Sequence, residues 1–303
     1  MASKIGWTTE TCNVFTGCRH VSAGCAHCYA ETMAKRLKGS GHPSYQEVVD
    51  GRGWTGRVQT NFAALQKICR MPKPRRVFIC SMSDFFYEAI PDSLRDAALG
   101  LMRRAGQHVF QILTKRPQVA LRYYEGLCAE YAARGQPSPF GDDTRHLWHG
   151  VTCEHQAAAE TRIPLLLEIP SAVRFVSCEP LLEPIDLMPW LACVHDYSGV
   201  YDGCGPDPRL DWVIVGCESI NGRPGRFCGE EFYRALASLR EQCAAAGVAL
   251  FVKQVPDPAN RRVIHDSGVI AERLSCRVED VRQWPPTAKD PQRNADRTAK
   301  ERQ

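Results

Sequence analysis

Six short apolar runs, each closing on polar or charged residues and each followed by a stretch of helical periodicity, predict an α/β protein on a mainly parallel sheet. With one more short strand at the start there are about seven, which suits a full or partial parallel (β/α) barrel. A doubly wound sheet is the alternative. The 303 residues, 44% hydrophobic and 24% charged, suffice for one large core and match an ordinary globular composition.

The elements follow in chain order. A short strand is expected near Cys12 to Phe15, and the first long one at Arg76-Val-Phe-Ile-Cys-Ser-Met-Ser-Asp84. Pro91 to Ala105 reads as an amphipathic helix, with Leu94, Ala97, Ala98, Leu101 and Met102 on one face. Strands follow at His108 to Arg116 and His146 to Glu154. Tyr123 to Arg145, with its Gly-Gln-Pro-Ser-Pro run, reads as a turn-rich insertion. Arg174 to Pro180, Asp211 to Glu218 and Val248 to Gln254 complete the strands. The helix before the last strand, Phe232 to Ala246, stops at Gly247, where a C-cap glycine is expected. Cys193 to Pro208 reads as a glycine-rich loop over a pocket. Residues 1–284 are expected as one domain, and the polar tail 285–303 as disordered.

Parallel strands place their C-terminal ends on one face, where such folds build their sites. Cys18, Ser83, Asp84, Lys115, Arg116, Glu154, Glu179, Glu218, Lys253 and Gln254 stand at or just beyond those ends. Each also has a bland explanation. Asp84 suits a helix cap, Lys115-Arg116-Pro117 a solvated helix start, and Glu179 a strand exit shaped by Pro180.

No uncharged apolar run reaches the roughly eighteen residues of a membrane span, and the first residues lack a secretory h-region. Fifteen cysteines, an odd count without a small-scaffold framework, point to free thiols and a cytoplasmic setting.

Three of those thiols carry the sharpest signal. Cys18, Cys25 and Cys28 form a C-x6-C-x2-C pattern with glycine before each of the first two. Three thiolates without an evident fourth suit an iron–sulfur cluster with one open iron, whereas structural zinc sites carry four ligands. Zinc completed by His20, His42 or a distant residue, and inert buried thiols, remain the alternatives. His27 is a poor fourth ligand because it directly precedes Cys28. Beyond the motif, 31–76 holds ten basic residues against three acids, a surplus of seven where the whole chain carries +4. A polyanion-binding surface and a solvated helix face both explain that excess. No H-x-H or H-E-x-x-H motif supports a metal hydrolase.

The runs Thr16-Gly-Cys18, Val21 to Ala30, Ser81-Met-Ser-Asp84, Leu113-Thr-Lys-Arg-Pro117, Gly150-Val-Thr-Cys-Glu154, Cys178-Glu-Pro-Leu-Leu182, Gly216-Cys-Glu218 and Lys253-Gln254 resemble, in order, the phage Gp37/Gp68-like family of unknown function. That family looks like a divergent branch of the radical S-adenosylmethionine (radical SAM) enzymes, whose usual spacing is C-x3-C-x2-C. The resemblance implies a barrel of the radical SAM type. It also implies a 4Fe-4S cluster on Cys18, Cys25 and Cys28, with S-adenosylmethionine on the open iron and a 5′-deoxyadenosyl radical as the reactive product. An electron donor of flavodoxin or ferredoxin type is the partner this implies. His27 or Tyr29 would then meet the adenine, and Ser81, Ser83 and Asp84 the methionine amino group. Lys115 or Arg116 would pair with the carboxylate, while Glu154, Glu179 and Glu218 would meet ribose or substrate. The basic segment 35–76, with Tyr45, Trp54 and Phe62 interspersed, makes a nucleic acid or nucleotide the favoured substrate. A zinc-containing, non-catalytic nucleic-acid-binding protein is the rival.

Overall fold

The computed structural model describes residues 5–141, 144–191, 209–257 and 259–285. The elements are β1 (Glu10–Cys12), β2 (Phe15–Thr16), α1 (Tyr29–Gly39), β3 (Gln59–Thr60), α2 (Phe62–Cys69), β4 (Arg76–Ile79), α3 (Asp92–Arg103) and β5 (Val109–Thr114). They continue through α4 (Pro117–Ala133), β6 (Leu147–Thr152), α5 (Gln156–Glu168), β7 (Val173–Leu181), α6 (Met188–Leu191) and β8 (Trp212–Cys217). The last are β9 (Ser219–Ile220), β10 (Arg223–Pro224), α7 (Glu230–Ala246), β11 (Ala249–Asp257), β12 (Arg262–Ile264), α8 (Ser267–Arg273) and α9 (Val278–Val281).

Eight strands form one sheet in the order β1-β4-β5-β6-β7-β8-β11-β12. β1 pairs in parallel with β4 and β4 with β5, as do β7 with β8 and β8 with β11. Only β12 is recorded antiparallel, against β11. Among the described residues the order rises without a reversal, so it lacks the topological switch point of the doubly wound alternative. Among the described residues the sheet has two edges, β1 and β12, so it is open and not a closed barrel.

The described residues fall into two compact units, 5–150 with 169–172, and 151–168 with 173–285. In the first, β4 is buried at all four positions, as a strand covered on both faces must be. Phe15, Phe85, Phe86 and Tyr124 stack through the core with centroids 5.5, 5.2 and 5.7 Å apart in turn. Asn61 caps α2 by accepting the Ala64 N–H at 3.1 Å, and Pro117 stands in the first turn of α4. In the second, β8 is buried along its length and Trp212 meets Phe251 edge-on at 6.2 Å. α7 ends at Gly247 with φ 65°, the left-handed C-cap expected of that glycine.

One expectation needs correcting. The stretch from Tyr123 is not loop, because α4 runs on to Ala133 and places Tyr123 and Tyr124 in the core. The turn begins only at Arg134 and Gly135, where φ is 65°. The loop expected at Cys193 to Pro208 and the tail from Pro286 lie outside the described residues.

Candidate functional site

The first unit gathers the cysteine motif and the exits of β4 and β5 into one network. β2 leads into Gly17, whose φ is 98° and whose α-carbon admits no side chain: a β-carbon there would stand 2.1 Å from the Arg57 carbonyl oxygen. Gly17 N–H donates to the Met82 carbonyl at 3.2 Å, and Ser83 Oγ donates to the Gly17 carbonyl at 2.5 Å. Asn13 Oδ1 accepts from Ser81 Oγ and from the Met82 N–H, each at 3.0 Å. The chain reaches Ser81 through Cys80, a buried non-glycine residue at φ 61°. Such strain persists only where the surroundings dictate it, and here it turns β4 toward the cysteine loop.

Asp84 and Arg116 tie the network together. Asp84 Oδ1 accepts from Thr114 Oγ1 at 2.7 Å and from the Phe86 N–H at 2.9 Å. Its Oδ2 accepts from the Lys115 N–H at 2.9 Å and from Arg116 Nη1 at 3.0 Å. Arg116, 1% exposed, also donates to Glu88 at 2.7 Å and to the Arg19 carbonyl at 2.8 Å, and its guanidinium lies 4.9 Å from the Tyr87 ring centre. Burial opposes its charge, but Asp84, Cys18 and Glu88 outweigh burial and hold its pKa above the ordinary value. The Asp84 carboxylate is thus fully engaged by its own chain, and its evident work is to hold the two strand exits against the cysteine loop.

The thiols sit on that loop. Cys18 Sγ lies 3.9 Å from Arg116 Nη1. Burial, then the nearby Asp84, push its pKa up to about 12, partly offset by Arg116. Cys25 closes a short helical turn, its N–H on the Ser22 carbonyl at 3.0 Å and its sulfur 3.8 Å from Ser22 Oγ. Cys28 is the N-cap of α1. Burial raises its thiol, partly offset by the nearby backbone N–H groups of Glu31 and Ala30 and by Lys115. Cys28 feels the charge of Cys25, and Cys18 that of Cys28. Tyr29 is 54% exposed and donates to the Ser81 carbonyl at 2.6 Å; His27 is exposed.

Among the described residues no three His, Cys, Asp or Glu side chains already converge as a metal-holding array. The donor set nevertheless fits a thiolate-held group. It offers three soft ligands on one eleven-residue loop (18–28), with backbone donors and a lysine beside Cys28 and an arginine beside Cys18 to offset thiolate charge. It does not fit a hard, oxygen-liganded cation.

The acidic strand ends of the second unit take a different form. Glu154, wholly buried, pairs with Arg162 at 2.7 Å. Glu218 is chelated by Arg226 through Nη2 at 2.5 Å and Nε at 2.9 Å. Glu179 pairs with Lys253, and Gln254 Nε2 donates to the Cys217 carbonyl at 2.6 Å. Of the basic segment, Lys35 pairs with Glu31 and Arg57 with Glu47, Lys38 donates to the Val49 carbonyl, and Arg76 is buried at 8% exposure. Sequence reasoning missed Asn13, Arg19, Tyr87 and Glu88, whose contacts arise only when distant segments close. Glu88, four residues beyond Asp84 and acidic, carried the one local signal.

A family model described as Protein of unknown function (DUF5131) matches residues 2–294, so the chain belongs to that family. Comparison with curated proteins and with solved structures returned no match.

Proposed function

For this member of a family of unknown function, we propose a radical SAM enzyme of the phage Gp37/Gp68-like kind, with a 4Fe-4S cluster on Cys18, Cys25 and Cys28 and a nucleic acid or nucleotide as substrate. The single observation that carries it is the loop itself: three cysteines within eleven residues, the first of them held against two strand exits by a buried Asp84–Arg116 pair. A staple would not need such a platform at a strand exit, where this class of fold does its chemistry.

Cys18, Cys25 and Cys28 would hold the cluster, which when bound would provide one-electron reduction of S-adenosylmethionine and so radical chemistry on the substrate. The chain's own residues prepare for that. Arg116 and Lys115 offset the negative charge that Cys18 and Cys28 acquire on losing their protons. The backbone N–H groups opening α1 do the same for Cys28. Tyr29, its hydroxyl fixed on Ser81, presents an exposed ring beside Cys28 that suits stacking against an adenine. Ser81 and Ser83 donate inside the network and keep lone pairs that accept from an amino group.

The test is product analysis. Full-length protein, loaded with iron and sulfide without oxygen and then reduced, should convert S-adenosylmethionine to methionine and 5′-deoxyadenosine. Tyr29→Ala should weaken cofactor binding while the iron content stays the same. Iron-loaded, reduced protein that yields no methionine contradicts the proposal, and so does purified protein that is colourless with one tightly held zinc.

A further inference from the structure

We infer that a cleft between the C-terminal ends of α2 and α3 is a phosphate-binding exosite, separate from the cysteine loop. Gln66, Cys69, Arg70, Leu101, Arg104 and Ala105 line it, and with its open mouth it encloses about 470 Å³. Two arginines, a glutamine and a cysteine line it beside Leu101 and Ala105, and no acidic residue does. Both arginines are exposed, and neither guanidinium has a hydrogen bond or ion pair among the described residues. Arg104 folds back along its helix, with Nη1 only 3.6 Å from where a side chain on Gly100 would begin, and its charge reaches Cys69.

The ordinary explanation is that each arginine caps a helix C-terminus, since Arg70 and Arg104 are the C-cap residues of α2 and α3. At α2 that role is already filled. Gln107 Nε2 donates to the Cys69 carbonyl at 2.9 Å and lies 3.4 Å from that of Met71, while His108 Nε2 bonds the Ile68 carbonyl at 2.9 Å. At α3, His146 Nε2 likewise bonds the Met102 carbonyl at 2.9 Å, so neither guanidinium is consumed by its helix end. Weakly hydrated guanidiniums with planar donor forks match phosphate as well as carboxylate, and the local excess of positive charge favours the more highly charged phosphate. The surroundings agree, because 62–74 carries three exposed cations (Lys67, Arg70 and Lys73) and no acid.

Place in the fold makes it an exosite. Arg70 and Arg104 precede β4 and β5, whereas Asp84 and Arg116 follow them. The six residues of β5 alone separate the two ends by about 20 Å. A phosphate held there is not the reacting group at the thiols. The inference goes beyond the cluster proposal and does not depend on it, since a colourless protein would defeat that proposal and leave this one intact.

The experiment uses the full chain with two probes, inorganic phosphate and a fluorescent single-stranded oligonucleotide. Arg70→Gln and Arg104→Gln should each weaken binding of the probe about tenfold, and the double variant about a hundredfold, as expected for charge-assisted bidentate contacts. Arg52→Gln, exposed but outside the cleft, should change it less than about twofold. If polymer backbone is the source, affinity rises with oligonucleotide length, and the slope of log affinity against log salt falls by about one per lost contact. If free phosphate or a phosphate monoester is the source, inorganic phosphate displaces the oligonucleotide and length has no effect. Either pattern supports the site. Without any variant, phosphate or oligonucleotide should also slow alkylation of Cys69 in the wild-type protein, read by peptide mass spectrometry. No binding of either probe at low salt, a double variant within twofold of wild type, or unaltered Cys69 alkylation would overturn it.

Discussion

The strand ends of the two units look alike in sequence and behave differently in structure. In the first unit, Asp84 and Arg116 join residues 32 apart, and Arg116 reaches on to Arg19, 97 residues away, so that β4, β5 and the cysteine loop share one buried network. In the second, Glu154 and Glu218 each find a basic partner eight residues further on. Glu179 and Lys253 are the exception, linking β7 to β11, and both keep 19% exposure. A polar residue at a strand end therefore says little alone. The useful distinction is whether its partner is local, and so merely neutralises it, or distant, and so fixes one segment against another.

The largest effect should come from breaking the long-range network. Arg116→Met leaves Asp84 buried with an unpaired charge, and loss of one partner of a buried pair costs about 3–5 kcal/mol. Chemical denaturation should show that loss, together with poorer iron loading. A cost below about 1 kcal/mol would mean that the pair is not the clamp. Next comes Gly17→Ala, which forces a β-carbon into the Arg57 carbonyl and an unfavourable φ, for about 2 kcal/mol or more. It should also displace Cys18, so iron loading should fall further than melting temperature alone explains.

The local pairs should respond less. Arg226→Gln, at a side chain 42% exposed, is expected to cost about 1 kcal/mol after solvent screening and to leave iron loading unchanged. A drop in loading there would dissolve the contrast between the units. A separate effect, seen only at high pH, is alkaline. Burial raises Cys12, Cys18 and Cys243 to about 12 from an ordinary 9.0, so the fold favours the neutral thiol more than the unfolded chain does. That contribution is complete below pH 9 and is lost as pH climbs toward 12. Metal-free protein should hold its melting temperature through neutral pH and lose it above about pH 9, and a flat profile to about pH 11 would contradict the burial of these thiols.

Much of the sheet was legible because strands buried on both faces read as unbroken apolar runs, as in Val77 to Ile79 and Trp212 to Val215. The hairpin β9–β10 and the antiparallel β12 were not, since two or three residues carry no periodicity. The end of α4 was obscured by the proline-rich turn that follows it. Within the site, the cysteines, Asp84 and Arg116 announced themselves by spacing and position. Asn13 and Arg19 did not, because a side-chain amide or a backbone carbonyl gains its role only from whatever the fold brings against it. The basic segment shows the same limit. Contiguous in sequence, it spreads over buried, paired and open positions, and its clearest cleft borrows Arg104 from outside it.

The most direct measurement is the visible and electron paramagnetic resonance spectrum of protein reconstituted anaerobically with iron and sulfide, for wild type and for single alanine variants. If the loop holds one cluster, wild type is brown with about four irons per chain and a signal on reduction. Cys18→Ala, Cys25→Ala and Cys28→Ala should each abolish both, whereas Cys243→Ala, buried in α7, should keep them. Iron and colour retained after loss of any one of the three thiols, or lost equally with Cys243, would contradict the loop as the cluster's holder.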